Sequence, residues 1–125
     1  MIKGRVNAHR EAVVPLSLRG SQGDDHSIEA VIDTGYNGFL TLPSDLIDRL
    51  GFPFLRGSRA ILGDGSTIEF AIHEATVVWN GGLLRIPVDA ADVNPLLGMG
   101  LLYGYELSIE VIEDGNALIR ALEIS

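Results

Sequence analysis

The sequence predicts an all-β domain, a small closed or sandwiched sheet of roughly seven to nine short strands with one helix of about two turns. Three observations lead there. Four strong turn dipeptides punctuate the chain: Asn37-Gly38, Asp64-Gly65, Asn80-Gly81 and Asp114-Gly115. The segments between them alternate apolar and polar residues with a period of two. Only one segment carries a clear helical stripe. At 125 residues the chain is expected to form one domain, 1–125, large enough for one real core.

Taken in order, Val14, Leu16 and Leu18 share one strand face, with Pro15, Ser17 and Arg19 on the other. Val31 and Ile32 end a second apolar strand, and Phe39 to Leu42 form a third. A helix follows, with Pro43 at its first position, Asp45 in the first turn, a stripe of Leu46, Ile47 and Leu50, and Gly51 as its stop. The run Ser66 to Trp79 keeps Ile68, Phe70 and Ile72 in even phase, then Ala75, Val77 and Trp79 in odd phase. The change at His73-Glu74 implies a bulge, a sharp bend, or a strand passing between two sheets. A second short helical turn is expected from Met99 to Tyr103. Tyr105, Leu107, Ile109 and Val111 then line one face of a last strand.

Composition narrows the function. Hydrophobic residues make up 46% and mean hydropathy is +0.25, which excludes a disordered chain. The net charge of −8 makes nucleic acid a poor partner. There is no cysteine, so disulfides, thiol catalysis, zinc–thiolate sites and iron–sulfur clusters are excluded. Charges interrupt the first ten residues and no long apolar run occurs, so neither a signal peptide nor a membrane span is expected, and a cytoplasmic location is the expectation. His9, His26 and His73 lack metal-ligand spacing, and neither a metal nor a cofactor is expected. Ser44, Ser58 and Ser66 lack a nucleophile-elbow context, Gly63-x-Gly65 is not followed by the lysine of a phosphate loop, and Trp79 reads as core. Asp24-Asp25-His26 reads as a solvated loop, and Asp89 and Asp92 as flanks of a polar turn before Asn94-Pro95.

The chemistry concentrates in Ile28 to Pro43, IEAVIDTGYNGFLTLP. Asp33 directly ends an apolar strand, where an ionised carboxylate needs donors close by. A tight turn supplies backbone N–H groups, Thr34 a hydroxyl, and Gly35 either close backbone approach or a positive φ. This pins an acid at the floor of a cleft. On position and spacing alone, a simpler role stays open: Asp33 caps a turn in a β-arch.

Asp33-Thr34-Gly35 resembles the signature of the retropepsin-like aspartic proteases, particularly the small bacterial members of that clan. Leu96-Leu97-Gly98 resembles their later hydrophobic–hydrophobic–Gly element, trailed by Met99-Gly100-Leu101-Leu102 like their short helix. Between them, Gly63-Asp64-Gly65-Ser66 falls where the family carries its flap. The order covers nearly the whole chain. Tyr36 departs from the pattern, since a small residue usually follows Asp-Thr-Gly; its ring is expected to narrow the cleft or rearrange the turn.

The resemblance implies a retropepsin-like closed β-barrel or sandwich acting as half of a two-fold dimer, and an aspartic endopeptidase activity. Two carboxylates are needed for that chemistry, one as base toward water and one, protonated, as donor to the scissile carbonyl. The motif occurs once, so Asp33 from two chains must meet on a C2 axis. Thr34 inherits a bracing role and Gly35 a supporting one, while Gly63, Asp64, Gly65 and Ser66 form a substrate-binding flap. The expected partners are a second copy of the chain and an extended polypeptide, with apolar side chains preferred around the scissile bond. The alternative implied by Tyr36 is a catalytically weak or inactive dimerisation or peptide-binding module of the same fold. A third, weaker alternative is a structural β-barrel subunit with an incidental motif.

Two chains at −8 each repel at neutral pH and less as their carboxylates protonate. The dimer fraction is therefore expected to rise below about pH 6. Light-scattering mass after size exclusion at pH 5 and pH 8 measures it; equal fractions would contradict the electrostatic account.

Overall fold

The alternating segments fold as strands in the computed structural model, which describes residues 1–123. The last two residues of the expected 1–125 domain lie outside the described residues. In chain order the elements are β1 (Ile2–Val6), β2 (Ala12–Arg19), β3 (Asp25–Ile32), β4 (Leu40–Leu42), α1 (Ser44–Leu50), β5 (Phe54–Ile61), β6 (Thr67–Trp79), β7 (Gly82–Ala90), β8 (Leu96–Leu97), α2 (Met99–Leu102), β9 (Tyr105–Ile109) and β10 (Asn116–Ala121). These ten strands exceed the seven to nine expected, partly because a two-residue strand such as β8 is too short to show any period. Asp25 and His26 belong to β3, where Arg19 pairs with Asp25 across the β2–β3 hairpin, so this stretch is strand and not loop.

The strands pair in the order β5-β6-β7-β4-β8-β3-β2-β1-β10-β9, and β6 pairs in addition with β2. The pairing order therefore folds back on itself between β6 and β2. Val14, Leu16 and Leu18 of β2 point into the core, as their alternation requires, and meet Leu40, Leu97 and Val77 there. Asn80 (φ 48°) and Gly81 (φ 86°) make the two-residue turn between β6 and β7, matching the positive φ values that an Asn-Gly hairpin turn demands.

The phase change in β6 has a physical cause. Up to His73 one edge of β6 pairs with β5; from Thr76 that edge pairs with β2 instead, while β7 holds the opposite edge without a break from Ile72 to Trp79. The strand leaves a free-standing hairpin and enters the core at His73-Glu74, so its inward face switches there. The one irregularity in register lies in β5, between Phe54 and Arg56, and not in β6 itself.

Helix α1 buries Leu46, Ile47 and Leu50. Pro43 stands just before its first turn, one place earlier than expected, and its carbonyl accepts from Leu46 and Ile47. Gly51 stops it at φ 72°; the N–H groups of Gly51 and Phe52 cap Asp48 and Ile47 at 3.2 Å each. Strand β9 stops at Ile109, and Val111 is exposed, because a reversal through Asp114 (φ 60°) begins there.

Leu18 is fully buried, and its backbone neighbours are His26 on β3 and Val77 on β6. Leu18→Ala is expected to cost about 3 kcal/mol of stability by leaving a cavity where these strands meet. Urea unfolding checks this; a loss below about 1 kcal/mol would mean the site collapses freely.

Candidate active site

Asp33 stands where β3 ends between two neighbours. β2 lies on one edge of β3, and β8 runs parallel on the other, matching Val31 to Leu96 and Ile32 to Leu97. The Asp33 N–H continues that pairing by donating to the Leu97 carbonyl at 2.9 Å. The chain then turns tightly: Tyr36 N–H donates to the Asp33 carbonyl at 3.1 Å, and Gly35 N–H donates to Asp33 Oδ1 at 3.0 Å. Gly35 keeps a negative φ, so its use here is close approach: a Cβ would sit 3.3 Å from Asp33 Oδ1. Asp33 is half-buried, while Thr34 and Gly35 are exposed beside it. The Thr34 hydroxyl makes no hydrogen bond among the described residues.

The turn is fastened from below by the segment after β8. Gly98 N–H donates to Phe39 O at 3.0 Å, Met99 N–H to Tyr36 O at 2.8 Å, and Gly100 N–H to Gly38 O at 3.0 Å. Side chains would forbid this. A Cβ on Gly98 would strike the Gly38 carbonyl oxygen and lie 2.6 Å from Tyr36 Cδ2, and one on Gly100 would lie 2.9 Å from Gly38 O. The Leu96-Leu97-Gly98 element thus locates the Asp-Thr-Gly turn through backbone contacts on both sides of Tyr36.

Tyr36 itself was expected to crowd the acid or rearrange the turn. Its ring instead lies over Gly38, where a Cβ would come within 2.5 Å of Cε1, and against Gly98. Its hydroxyl donates to Asp89 Oδ2 at 2.6 Å. Burial pushes the phenol's pKa up, and the hydrogen bond to Asp89 adds to the shift, while Thr41 opposes it. Sequence reading placed Asp89 in a polar turn with Asp92. The structure sets Asp89 within β7, opposite Thr41 of β4, because the parallel pairing of β4 with β7 runs on to Ala90. The signal was present: Ile86 and Val88 alternate with Pro87 and Asp89, so Asp89 continues the strand on the outward face.

Gly63, Asp64, Gly65 and Ser66 form the tip of the β5–β6 hairpin, where the sequence placed a flap. Leu62 N–H donates to Ser66 O at 2.8 Å and Gly65 turns at φ 85°. Asp64 Oδ1 accepts from the Ser66 N–H at 2.9 Å and from its hydroxyl, which holds the Asp64 carboxyl below the usual carboxylate range. The tip is exposed, and no hydrogen bond joins it to the Asp33 turn among the described residues. Further down, β6 forms one wall of a cavity of about 630 Å³; β4, the start of α1 and the end of β7 with Asp89 form the other.

An Asp-Thr-Gly turn at the end of a strand, braced by a hydrophobic–Gly element and followed by a projecting hairpin, is the arrangement of a retropepsin-like fold. A comparison with solved structures agrees. The chain is similar to the crystal structure of a retropepsin-like aspartic protease from Rickettsia conorii, at 17% sequence identity and a TM-score of 0.58, over 95% of this chain and 88% of that one. At this identity the likeness shows the fold. No protein-family model and no curated protein matches the chain. Among the described residues, no helix is long and apolar enough to cross a membrane.

The raised phenol pKa of Tyr36 sets a pH dependence. Folding holds the Tyr36 proton more tightly than the unfolded chain does, so this stabilisation is complete below the ordinary value of 10.0 and fades as pH rises above it. Tyr36→Phe is expected to lose about 1 kcal/mol at neutral pH with the hydrogen bond. It should also lose less stability than wild type between about pH 9 and about pH 11. Denaturant midpoints across that range test this; parallel curves would show that the Tyr36 proton is not held by the fold.

Proposed function

We propose that the chain is an aspartic endopeptidase, in which Asp33 from each of two chains forms the catalytic dyad of a homodimer. The observation that carries this reading is the Asp33 turn. The Asp33 main chain is fixed by hydrogen bonds to Leu97 and Tyr36, and its half-buried carboxylate accepts from Gly35 N–H, at a rim where Thr34 and Gly35 are exposed, within a retropepsin-like fold. A rigid acid presented at an open rim suits a symmetric partner that brings the second acid. Exposed apolar side chains on and after α2 support the same partner: Met99, whose N–H holds Tyr36 O, is 45% exposed, and Tyr103 just beyond α2 is 86% exposed. Leu122, tied by its N–H to Gly104 O, adds a third. A second copy covering this edge removes that surface from water. The strand pairing that returns to β6 supports a closed barrel in each half.

In the proposed reaction one Asp33 carboxylate takes a proton from a water held between the pair. The water oxygen attacks the scissile carbonyl carbon while the other Asp33, protonated, donates to the carbonyl oxygen. The tetrahedral intermediate then collapses: the C–N bond breaks, the proton gained from water passes to the leaving amine, and a hydroxyl of the intermediate returns its proton to the second Asp33 as the new carboxyl group forms. The dyad shares one proton because two like charges this close cannot both persist. Thr34 braces the pair across the axis, and Gly35 holds the Asp33 carboxylate by its N–H. The hairpin tip at Gly63, Asp64, Gly65 and Ser66 closes over an extended peptide, which adds as a strand.

Cleavage of an unbiased peptide library from about pH 3 to pH 8, with wild type and Asp33→Asn side by side, tests the proposal. Wild type is expected to cut best at acidic pH and to lose activity once both carboxylates ionise. Asp33→Asn is expected to abolish turnover with the dimer intact. Equal cleavage by the two would remove Asp33 from the mechanism. No cleavage by either, with a folded dimer in the same tube, would favour the peptide-binding module.

A further inference from the structure

We infer that the cavity beside the Asp33 turn receives a lysine or arginine side chain of the bound peptide, with Asp89 as the residue that selects it. The inference rests on the reading of the chain as a peptidase for its link to cleavage, and on the cavity alone for its link to binding.

The cavity, about 630 Å³, has a mixed lining. Ile68, Phe70 and Ala90 give it apolar walls, and Asp89 and Asp92 supply carboxylates; no lysine or arginine lines it. Glu69 also borders it, but Arg59 already pairs with Glu69 at 3.3 Å. Asp89 differs. It is half-buried, it accepts only the neutral Tyr36 hydroxyl, and no cation pairs with it among the described residues. A carboxylate partly withdrawn from water and facing an unfilled space gains from a cation placed there. The long side chains of lysine and arginine fit such a space, laying methylenes on apolar walls and carrying the charge to the acid. Apolar substrate side chains, expected from the sequence, would leave that charge uncompensated.

Tyr36 makes the site specific. It lies three residues beyond Asp33, so the distance from the Asp33 turn to the cavity wall is spanned by one tyrosine side chain. Its hydrogen bond fixes the Asp89 carboxylate, leaving Oδ1 for the incoming cation. An extended peptide presents alternate side chains to one wall, so the preference should fall at one position relative to the scissile bond.

The test uses peptide pairs that differ only in lysine against norleucine, scanned along a cleaved sequence. Wild type is expected to favour lysine at one position by about tenfold in kcat/KM, the value of one charge-assisted hydrogen bond. Asp89→Asn should bring that ratio close to one, and Asp92→Asn, at an exposed position, should lower it less. A wild-type ratio near one at every position, or a ratio unchanged in Asp89→Asn, overturns the inference. The same pairs are titrated by fluorescence anisotropy onto Asp33→Asn. Lysine-selective binding that Asp89→Asn abolishes, with no cleavage by wild type, upholds the cavity and overturns the peptidase reading. Cleavage without lysine selectivity overturns the cavity alone, and neither binding nor cleavage overturns both.

Discussion

Backbone hydrogen bonds between the Asp33 turn and the segment Leu97 to Gly100 hold the candidate site in place. Asp33 N–H reaches Leu97 O, and three N–H groups from Gly98 to Gly100 reach back to Phe39, Tyr36 and Gly38. These are main-chain bonds in a partly dry place, where leaving one unmade is costly. They form only because Gly98 and Gly100 carry no side chain. The position of the carboxylate, the course of β4 and the aim of Tyr36 all follow from this clasp. A site built this way is set by the chain path and depends little on the packing of any single side chain.

Much of this was readable in the residues. The alternation of Val14, Leu16 and Leu18, the stripe of α1 with its Gly51 stop, and the Asn80-Gly81 turn all fold as local rules require. The phase change at His73-Glu74 was visible too, and marks where β6 exchanges β5 for β2. What stayed hidden was non-local. Two-residue β8 acquires its strand character from β3 and β4 on either side, which no period within Leu96-Leu97 can announce. The strand at Asp89 shows in the alternation of Ile86 and Val88, but its place opposite Thr41 does not, because that β4 partner lies far back in the chain. Asp33, Thr34 and Gly35 were legible as a group, and so was the hairpin tip at Gly63 to Ser66. The relation of the two through the cavity wall was not, since it depends on how β6 and β7 pair.

Tyr36 shows how a departure from a motif can be absorbed. A small residue at this place would leave Gly38 and Gly98 uncovered on one side. The ring fills that space, and its hydroxyl finds Asp89, so the turn gains a side-chain tether to β7 beside its backbone clasp. The aromatic residue that looked like an obstruction is thereby part of the support.

The pairing pattern also has a history in time. β1 finds its partner in β10, joining Ile2 to Ile119, and the clasp under Asp33 needs residues up to Gly100. During synthesis the Asp-Thr-Gly turn emerges long before the segment that holds it. Non-local pairings of this kind are closed late, after the loop entropy between them has been overcome. A chain still being synthesised therefore carries its acid on a turn whose backbone partners at Leu97 to Gly100 have yet to be made.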